Sequence, residues 1–272
     1  MGSQNQWKLS ESPPGVGDHV RRFRLGDEVD TFVIRSQRLL VVVDTMSTPG
    51  DARWLREQIA GDCAGRSLIV VDTHADYDHA WGNSVFADVP IVGHVRCGER
   101  LQGAEAAADI ARWSAEMPGR FDEVVATPPS ILHGDEGLVL DGGDVTIELI
   151  HTPGHCADHV SLYLREPRIL LAGDAAEVPF PHVDTPGGLV EARASLERLV
   201  ALNATHVLPC HGGTIHTAVL ERNIAWIDAV SANPELPYEE ALERFGDGRE
   251  DVPEMYRSFH ADGCSAAARA RG

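Results

Sequence analysis

The sequence has few basic residues for its length. Lysine and arginine total 23 against 42 aspartate and glutamate residues, which gives the 272-residue chain a formal net charge of −19. Nucleic-acid binding depends largely on cationic side chains that contact phosphates, and the arginine cluster RRFR near residue 21 is too short to offset this charge. We therefore expect no nucleic-acid partner.

Long hydrophobic runs are also missing. The longest apolar runs, such as residues 39–43 and 68–71, have the length of strands, whereas a membrane-spanning helix needs about 20 mostly apolar residues. We expect no membrane partner. The opening residues, MGSQNQWKLSESPPG, lack the basic start and apolar centre of a secretion signal, which predicts a cytoplasmic location.

Paired cysteines are absent as well. The five cysteines are odd in number, scattered, and form no CxxC pair. This spacing argues against a disulfide framework and a structural zinc knuckle, and favours reduced thiols.

What the sequence does contain is a series of short apolar runs separated by helical segments. Residues 31–36 and 38–45 predict a strand hairpin, and residues 49–61 a helix with Pro49 near its start. Further strands are predicted at 67–74, 88–95, 145–152, 159–166, 168–175 and 205–212, and helices at 78–86, 98–118, 191–203 and over most of the last ~55 residues. Strands in runs, with helices between them, predict a mixed α/β sandwich.

The most informative motif is His74-Ala-Asp76-Tyr-Asp78-His79, where a buried strand runs out into a loop. In a regular strand residues 74, 76 and 78 share one face and His79 points away, so the four side chains converge only if a loop enters a helix here. One alternative is a solvated loop with Asp78 as a helix N-cap. Another is an Asp76–Asp78 dyad for acid–base catalysis without metal, but the flanking histidines favour metal ligation.

Three more metal-capable residues each follow a predicted strand. His155 lies in TPGH, Asp174 in AGDA and His211 in PCHGG, beside glycines that permit tight turns. Loops at the ends of a rigid sheet are where binding sites are usually built. A single histidine of this kind is common, but this ordered set favours one metal site.

The pattern resembles the metallo-β-lactamase superfamily, whose motif is HxHxDH followed by His, Asp and His, and the resemblance spans roughly residues 30 to 215. It implies a four-layer αββα sandwich of two mixed β-sheets flanked by helices. The implied organisation is an N-terminal segment 1–25, a metallo-β-lactamase-fold core 26–218 and a helical C-terminal extension 219–272 of the same domain. The implied ligands are His74, Asp76 and His155 for one metal, Asp78, His79 and His211 for the other, and Asp174 as a bridge.

Asp76 departs from the motif, which has histidine there. A carboxylate is a harder ligand than imidazole and adds negative charge, so iron or manganese become candidates beside zinc, which we favour. The flavodiiron branch, which carries Glu at this position, is similar, but this chain has no room after His211 for the flavodoxin domain of those proteins.

The expected function is hydrolysis by a metal-bound hydroxide shared between two divalent ions, with Asp78 and His79 as catalytic residues. The expected substrate is a small molecule with an ester, thioester, lactone or related carbonyl group. Residues 97–132 are expected to form a pocket wall or lid. Two alternatives stay open: an iron-dependent oxidoreductase, such as a dioxygenase or oxygen-reducing relative, and a catalytically silent metal-binding protein. The sequence leaves the oligomeric state open.

Other histidines and cysteines are weaker candidates. His182 and His260 are candidate substrate contacts; a surface-loop histidine is the alternative for His182, and His260 lies on a predicted terminal helix that could cover the cleft. His159 suits a hydrogen bond to a ligand or a structural role better than ligation. Cys156 and Cys210 neighbour proposed ligands, but buried thiols acting as small apolar side chains are the favoured interpretation.

Overall fold

The computed structural model describes residues 8–248 and 251–271, which contain twelve strands and eight α-helices. The strands are β1 (Lys8–Glu11), β2 (Val20–Leu25), β3 (Val29–Arg35), β4 (Leu39–Val43), β5 (Ser67–Val71), β6 (Ile91–His94), β7 (Ile131–His133), β8 (Leu138–Asp141), β9 (Thr146–His151), β10 (Val160–Leu164), β11 (Ile169–Gly173) and β12 (His206–Pro209). The helices are α1 (Pro49–Ile59), α2 (Tyr77–Ala80), α3 (Val95–Arg100), α4 (Gly103–Glu116), α5 (Pro186–Ala201), α6 (Ala218–Ala232), α7 (Tyr238–Phe245) and α8 (Met255–Arg269).

The strands form two mixed sheets. The first has the order β1-β2-β3-β4-β5-β6-β7, antiparallel from β1 to β4 and parallel from β4 to β7. The second has the order β12-β11-β10-β9-β8, with β8 antiparallel to β9 and β11 parallel to β12. The prediction of a mixed α/β fold with two mixed sheets is confirmed, as is the β3–β4 hairpin.

The chain divides into two compact units. The first comprises residues 1–150 and 164–167, and the second comprises residues 151–163 and 168–272. The boundaries predicted at residues 25/26 and 218/219 stay predictions. Parts of both predicted terminal segments lie outside the described residues: residues 1–7 of the N-terminal segment, and residues 249–250 and 272 of the C-terminal extension.

In the first unit, α1 packs on the seven-stranded sheet. Thr48 caps the helix by accepting a hydrogen bond from the Asp51 backbone N–H, and Pro49 follows at the first helical position. Its buried residues Ala52, Leu55 and Ile59 recur at helical spacing and join a core that includes Phe23, Val33, Val42, Val70 and Phe86. This core supports β4 and β5, whose ends carry the site.

Two predicted helices are broken in the structure. The helix predicted over 98–118 is α3 and α4, interrupted where Gly103 adopts a left-handed backbone (φ +65°). The helix predicted over 78–86 is α2 followed by a short 3-10 turn, Asn83–Phe86. Between them Gly82 approaches the backbone of Thr45 so closely that a Cβ atom there would lie 2.1 Å from the carbonyl oxygen.

The second unit contains the four C-terminal helices. Helix α5 begins at Pro186, five residues earlier than predicted, because Thr185 accepts a hydrogen bond from the Gly188 backbone N–H and caps it. Helices α6, α7 and α8 confirm the helical character of the last ~55 residues. Among the described helices, none combines the length and apolarity needed to cross a membrane.

Candidate functional site

The motif of residues 74–79 lies where β5 runs into a loop that enters α2. Asp76 is the N-cap residue of α2 and has an extended backbone (φ −64°, ψ 157°). The chain therefore changes from extended to helical between His74 and His79, which is the irregular backbone that convergence of the motif requires. The N-cap is Asp76, so the alternative that gave this role to Asp78 is wrong.

Asp44 orients the ring of His79. This aspartate directly follows β4, is fully buried, and places Oδ2 2.8 Å from His79 Nδ1. Thr73 fixes the carboxylate by donating its backbone N–H to Oδ1 (2.7 Å) and its hydroxyl to Oδ2 (2.8 Å). Because a carboxylate accepts hydrogen bonds, His79 donates from Nδ1 and carries its lone pair on Nε2. A histidine that ligates metal through Nε2 needs this tautomer.

Thr73 sets the tautomer of His74 in the same way. Its single hydroxyl proton goes to Asp44, so the 3.0 Å contact between Thr73 Oγ1 and His74 Nδ1 requires the proton to be on the ring nitrogen. Nε2 of His74 therefore also carries a lone pair. The His74 and His79 rings are fully buried, with centroids 4.0 Å apart.

The carboxylates of the motif lie at ligand spacing from these nitrogens. Asp76 Oδ2 is 3.6 Å from His74 Nε2, and Asp78 Oδ2 is 3.6 Å from His79 Nε2. These distances are long for hydrogen bonds, but two ligands of a tetrahedral ion with bonds of about 2.1 Å lie about 3.4 Å apart. The other oxygen of Asp76, Oδ1, accepts a hydrogen bond from Arg100 Nη2 at 2.5 Å.

The second unit brings together His155, Asp174 and His211. Asp174 Oδ2 lies 3.8 Å from His155 Nε2 and 3.3 Å from His211 Nε2. His155 Nδ1 lies 3.1 Å from the backbone oxygen of His182, to which it donates, so Nε2 again carries the lone pair. The donor set and its spacing fit a divalent ion in this unit as in the first.

His159 positions Asp174. The backbone N–H of Asp174 donates to His159 Nε2 (2.9 Å), so His159 donates from Nδ1 to the Thr152 hydroxyl (2.8 Å). Both ring nitrogens are used in holding the loop after β11, which agrees with the structural role favoured over ligation.

Residues 24–211, more than half of the chain, match the family model of the metallo-beta-lactamase superfamily. The chain belongs to the metallo-β-lactamase superfamily. Solved structures agree on the fold. A metallo-β-lactamase family protein from Thermus thermophilus is similar with a TM-score of 0.62 at 22% identity, over 96% of this chain and 91% of that one. The VMB-1 structure is similar with a TM-score of 0.64 at 14% identity, over 85% and 100%.

The chain matches only part of the length of each curated relative. It is 29% identical over 190 residues to the acyl-coenzyme A thioesterase MBLAC2 of Bos taurus, which covers 62% of this chain and 66% of that protein. It is 38% identical over 85 residues to a β-lactamase-like protein 2 homolog of Caenorhabditis elegans, covering 31% and 28%. A probable metallo-hydrolase of Bacillus subtilis, YqjP, is 27% identical over 223 residues, covering 71% and 69%.

The two weaker histidine candidates lie in different surroundings within the second unit. His182 is partly exposed, its ring packs on Phe259 with centroids 4.5 Å apart, and its backbone oxygen orients His155. His260 is 4% exposed; its Nδ1 accepts from Trp226 Nε1 (3.2 Å) and its Nε2 donates to the Leu236 oxygen (2.7 Å). These contacts give His260 a packing role. Substrate contact by His182 or by His260 stays a prediction.

Glu177 is a buried acid that the sequence patterns did not reveal. It is 1% exposed, three residues after Asp174, and it accepts a hydrogen bond from the Tyr256 hydroxyl at 3.0 Å. Asn223 fixes the backbone on both sides by accepting from the Glu177 N–H and donating to its carbonyl. Burial raises the pKa of Glu177 from 4.5 to about 7, with the charges of His211 and Asp174 acting in opposite directions.

Replacing Glu177 with glutamine is expected to stabilise the metal-free protein at pH 8 but not at pH 5. The folded state keeps a proton on Glu177 that the unfolded chain releases above pH 4.5, so the wild type loses stability as pH rises from about 4.5 to about 7. A shift of this size corresponds to about 3 kcal/mol. Urea unfolding at both pH values measures it. Tyr256→Phe is the control, because it removes the hydroxyl and keeps the charge; parallel pH profiles for wild type and Glu177→Gln contradict the prediction.

A small cavity of about 90 Å³, open to solvent, lies beside Asp76 in the first unit. Its lining combines three aromatic residues and two arginines: Tyr77, Trp81, Trp113, Arg100 and Arg112. The Trp81 ring packs on Phe121, with its centroid 5.0 Å from that of the Phe121 ring. Residues 97–132, expected to form a pocket wall, supply both arginines and Trp113.

Proposed function

We propose that this chain is a metal-dependent hydrolase of carbonyl substrates, with a thioester as the first candidate. The arrangement of His74 and His79 carries the proposal. Asp44 and Thr73 place the ring protons on Nδ1, so that both buried Nε2 atoms present lone pairs at ligand spacing from carboxylate oxygens. Two adjacent buried imidazoles, each with its lone pair on Nε2, suit a metal centre.

The ligand roles are proposed from the motif order of the superfamily. One ion is assigned to His74, Asp76 and His155, the other to Asp78, His79 and His211, and Asp174 is assigned as the bridge. Divalent ions bound there supply a water of lowered pKa and polarise the substrate carbonyl. Zinc is the favoured metal, because imidazole and carboxylate ligands at this spacing suit a tetrahedral ion.

The residues of the chain orient the reactants. Asp78 lies in the first turn of α2 and is 8% exposed, so its carboxylate keeps a fixed position beside His79 while staying accessible to water. We assign it to orienting the attacking water by accepting a hydrogen bond from it. His79 is held by Asp44 and fixes this end of the site.

A thioester is preferred because relatives carry the name acyl-coenzyme A thioesterase. Tyr77, Trp81 and Trp113 line the cavity beside Asp76 together with two arginines, and these aromatic side chains supply apolar contacts for an acyl group. Esters and lactones share the reacting carbonyl and are the next candidates.

The test begins with the metal content of tag-free protein by elemental mass spectrometry. We expect close to two zinc ions per chain and hydrolysis of at least one member of a panel of acyl thioesters, esters and lactones. Chelation is expected to remove turnover and zinc to restore it, while circular dichroism confirms that the fold persists. Protein that isolates without metal and gains no thermal stability from zinc, iron or manganese contradicts the proposal and supports the silent binding protein.

An iron-dependent oxidoreductase is the second candidate, and Asp76 is the observation that favours it. A carboxylate in place of an imidazole shifts preference towards harder ions such as iron. This candidate predicts substantial iron in the isolated protein and oxygen consumption after iron reconstitution. Neither signal is expected if the site is a zinc hydrolase.

A further inference from the structure

Arg100 and Asp76 form an ion pair at the edge of the ligand loop. Arg100 Nη2 donates to Asp76 Oδ1 at 2.5 Å, whereas Asp76 Oδ2 lies 3.6 Å from His74 Nε2. One carboxylate oxygen therefore faces a guanidinium and the other faces the imidazole of a proposed ligand. The side chains are 27% and 32% exposed, so the pair lies at the border between the buried loop and solvent.

The fold fixes Arg100 in this position. It is the last residue of α3, whose start is capped by the His94 ring, which accepts from the Arg96 backbone N–H. Cys97 lies within α3 and Leu101 directly follows it. Both are buried in the cluster that contains Ala75 from the ligand loop. The helix end and the loop therefore share one packed core, and the guanidinium is directed at the loop by that packing.

Stability does not account for the pair. Partly exposed ion pairs contribute about 0–1 kcal/mol. Charge does account for it, because Asp76 replaces a neutral histidine of the superfamily motif with a carboxylate, and the arginine beside it cancels the added charge. A guanidinium also restricts the orientation of the carboxylate it binds.

We infer that Arg100 is a positioning residue and that Arg100 and Asp76 together replace the second histidine of the motif. Arg100 binds Oδ1 of Asp76 and so leaves Oδ2 directed towards His74. Its positive charge cancels the negative charge of the Asp76 carboxylate. The inference rests on the proposed function, since it requires that Asp76 ligates a metal.

Zinc affinity of the metal-free protein, measured by competition with a chromophoric chelator, tests the inference without turnover. Arg100→Ala is expected to lower the affinity of one of the two zinc ions about 10- to 100-fold, the range for groups that orient a ligand. Arg100→Lys keeps the charge but not the planar geometry, and is expected to recover part of the loss. Arg112→Ala is the matched control, because Arg112 lines the same cavity and pairs with Asp109.

Restoring the motif histidine gives a second, sharper arm. Asp76→His alone leaves the Arg100 cation beside a neutral ligand, and is expected to bind zinc more weakly than wild type. Adding Arg100→Ala to Asp76→His is expected to raise zinc affinity, although the same change lowers it in wild type. This reversal of sign is not expected of a residue that merely supports the fold.

The outcomes separate the two hypotheses. Wild type that binds no metal overturns the proposed function and this inference with it. Wild type that binds zinc, with Arg100→Ala equal to it or Arg112→Ala equally weakened, overturns the inference alone. Unfolding of each metal-free variant is measured in parallel, and a loss of affinity that follows the loss of stability in both Arg100→Ala and Arg100→Lys also overturns it.

Discussion

Replacing His79 with asparagine is expected to abolish zinc-dependent turnover while the fold stays intact. Asparagine Nδ2 is the same number of bonds from Cβ as histidine Nδ1, so it can keep the hydrogen bond to Asp44, which is 2.8 Å long in the wild type. It has no atom at the position of Nε2 and cannot ligate. Loss of a group in the catalytic machinery lowers turnover about 100- to 10,000-fold. Steady-state kinetics and zinc stoichiometry measure the effect.

His79→Ala is the comparison that isolates the role of Asp44. Alanine removes the imidazole donor from the buried Asp44 carboxylate, to which Thr73 still donates from its backbone N–H and its hydroxyl. Removing the partner of a buried hydrogen-bonding group costs about 1–3 kcal/mol, and more when the group is charged, so His79→Ala is expected to be both inactive and less stable, whereas His79→Asn is inactive and near wild type in stability. Full turnover in His79→Asn removes His79 from the proposed ligands.

The positions of the ligand candidates were predictable because each follows an apolar run. His74, Asp174 and His211 come within three residues of the ends of β5, β11 and β12 in the structure. A strand that is buried must end where the chain turns polar, and the ends of strands in one sheet lie along its edges. Their roles as metal ligands stay predictions, because spacing alone does not show a bond to metal.

Asp44 was missed although its sequence context carries a signal. Asp44 lies between the apolar residues 41–43 and a threonine, just as Asp72 lies between the apolar residues 69–71 and a threonine. In the structure β4 and β5 are parallel neighbours, with Val43 beside Val71, so the two aspartates emerge at the same edge. The sequence predicted each strand but not this pairing, since pairing between strands separated by a helix depends on the whole sheet.

Arg100 could not have been identified from the sequence. Its contact with Asp76 depends on α3 ending at residue 100, and the sequence predicted one continuous helix over 98–118. In a continuous helix the direction of this side chain differs. The pairing of Arg100 with Asp76 is therefore a tertiary property, even though Asp76 itself is visible in the motif.

Replacing Asp44 with asparagine is expected to lower zinc affinity about 10- to 100-fold with little change of shape. Asp44 has a left-handed backbone (φ +68°), which asparagine also adopts readily. An amide nitrogen placed towards His79 donates a hydrogen bond and requires Nδ1 to accept it. The ring proton then moves to Nε2, the nitrogen that must ligate. Chelator competition measures the affinity, and nitrogen NMR of the imidazole rings reports the tautomer in the metal-free protein.

Asp72→Asn is the matched control for Asp44→Asn. Asp72 is also fully buried at the end of a neighbouring strand, and it accepts from Asn83 Nδ2 at 2.8 Å. Both variants lose a buried carboxylate and are expected to lose stability. Only Asp44→Asn is expected to move the His79 proton and weaken zinc binding. Equal zinc affinities for the two variants contradict the tautomer argument, because they reduce the role of Asp44 to general support of the loop.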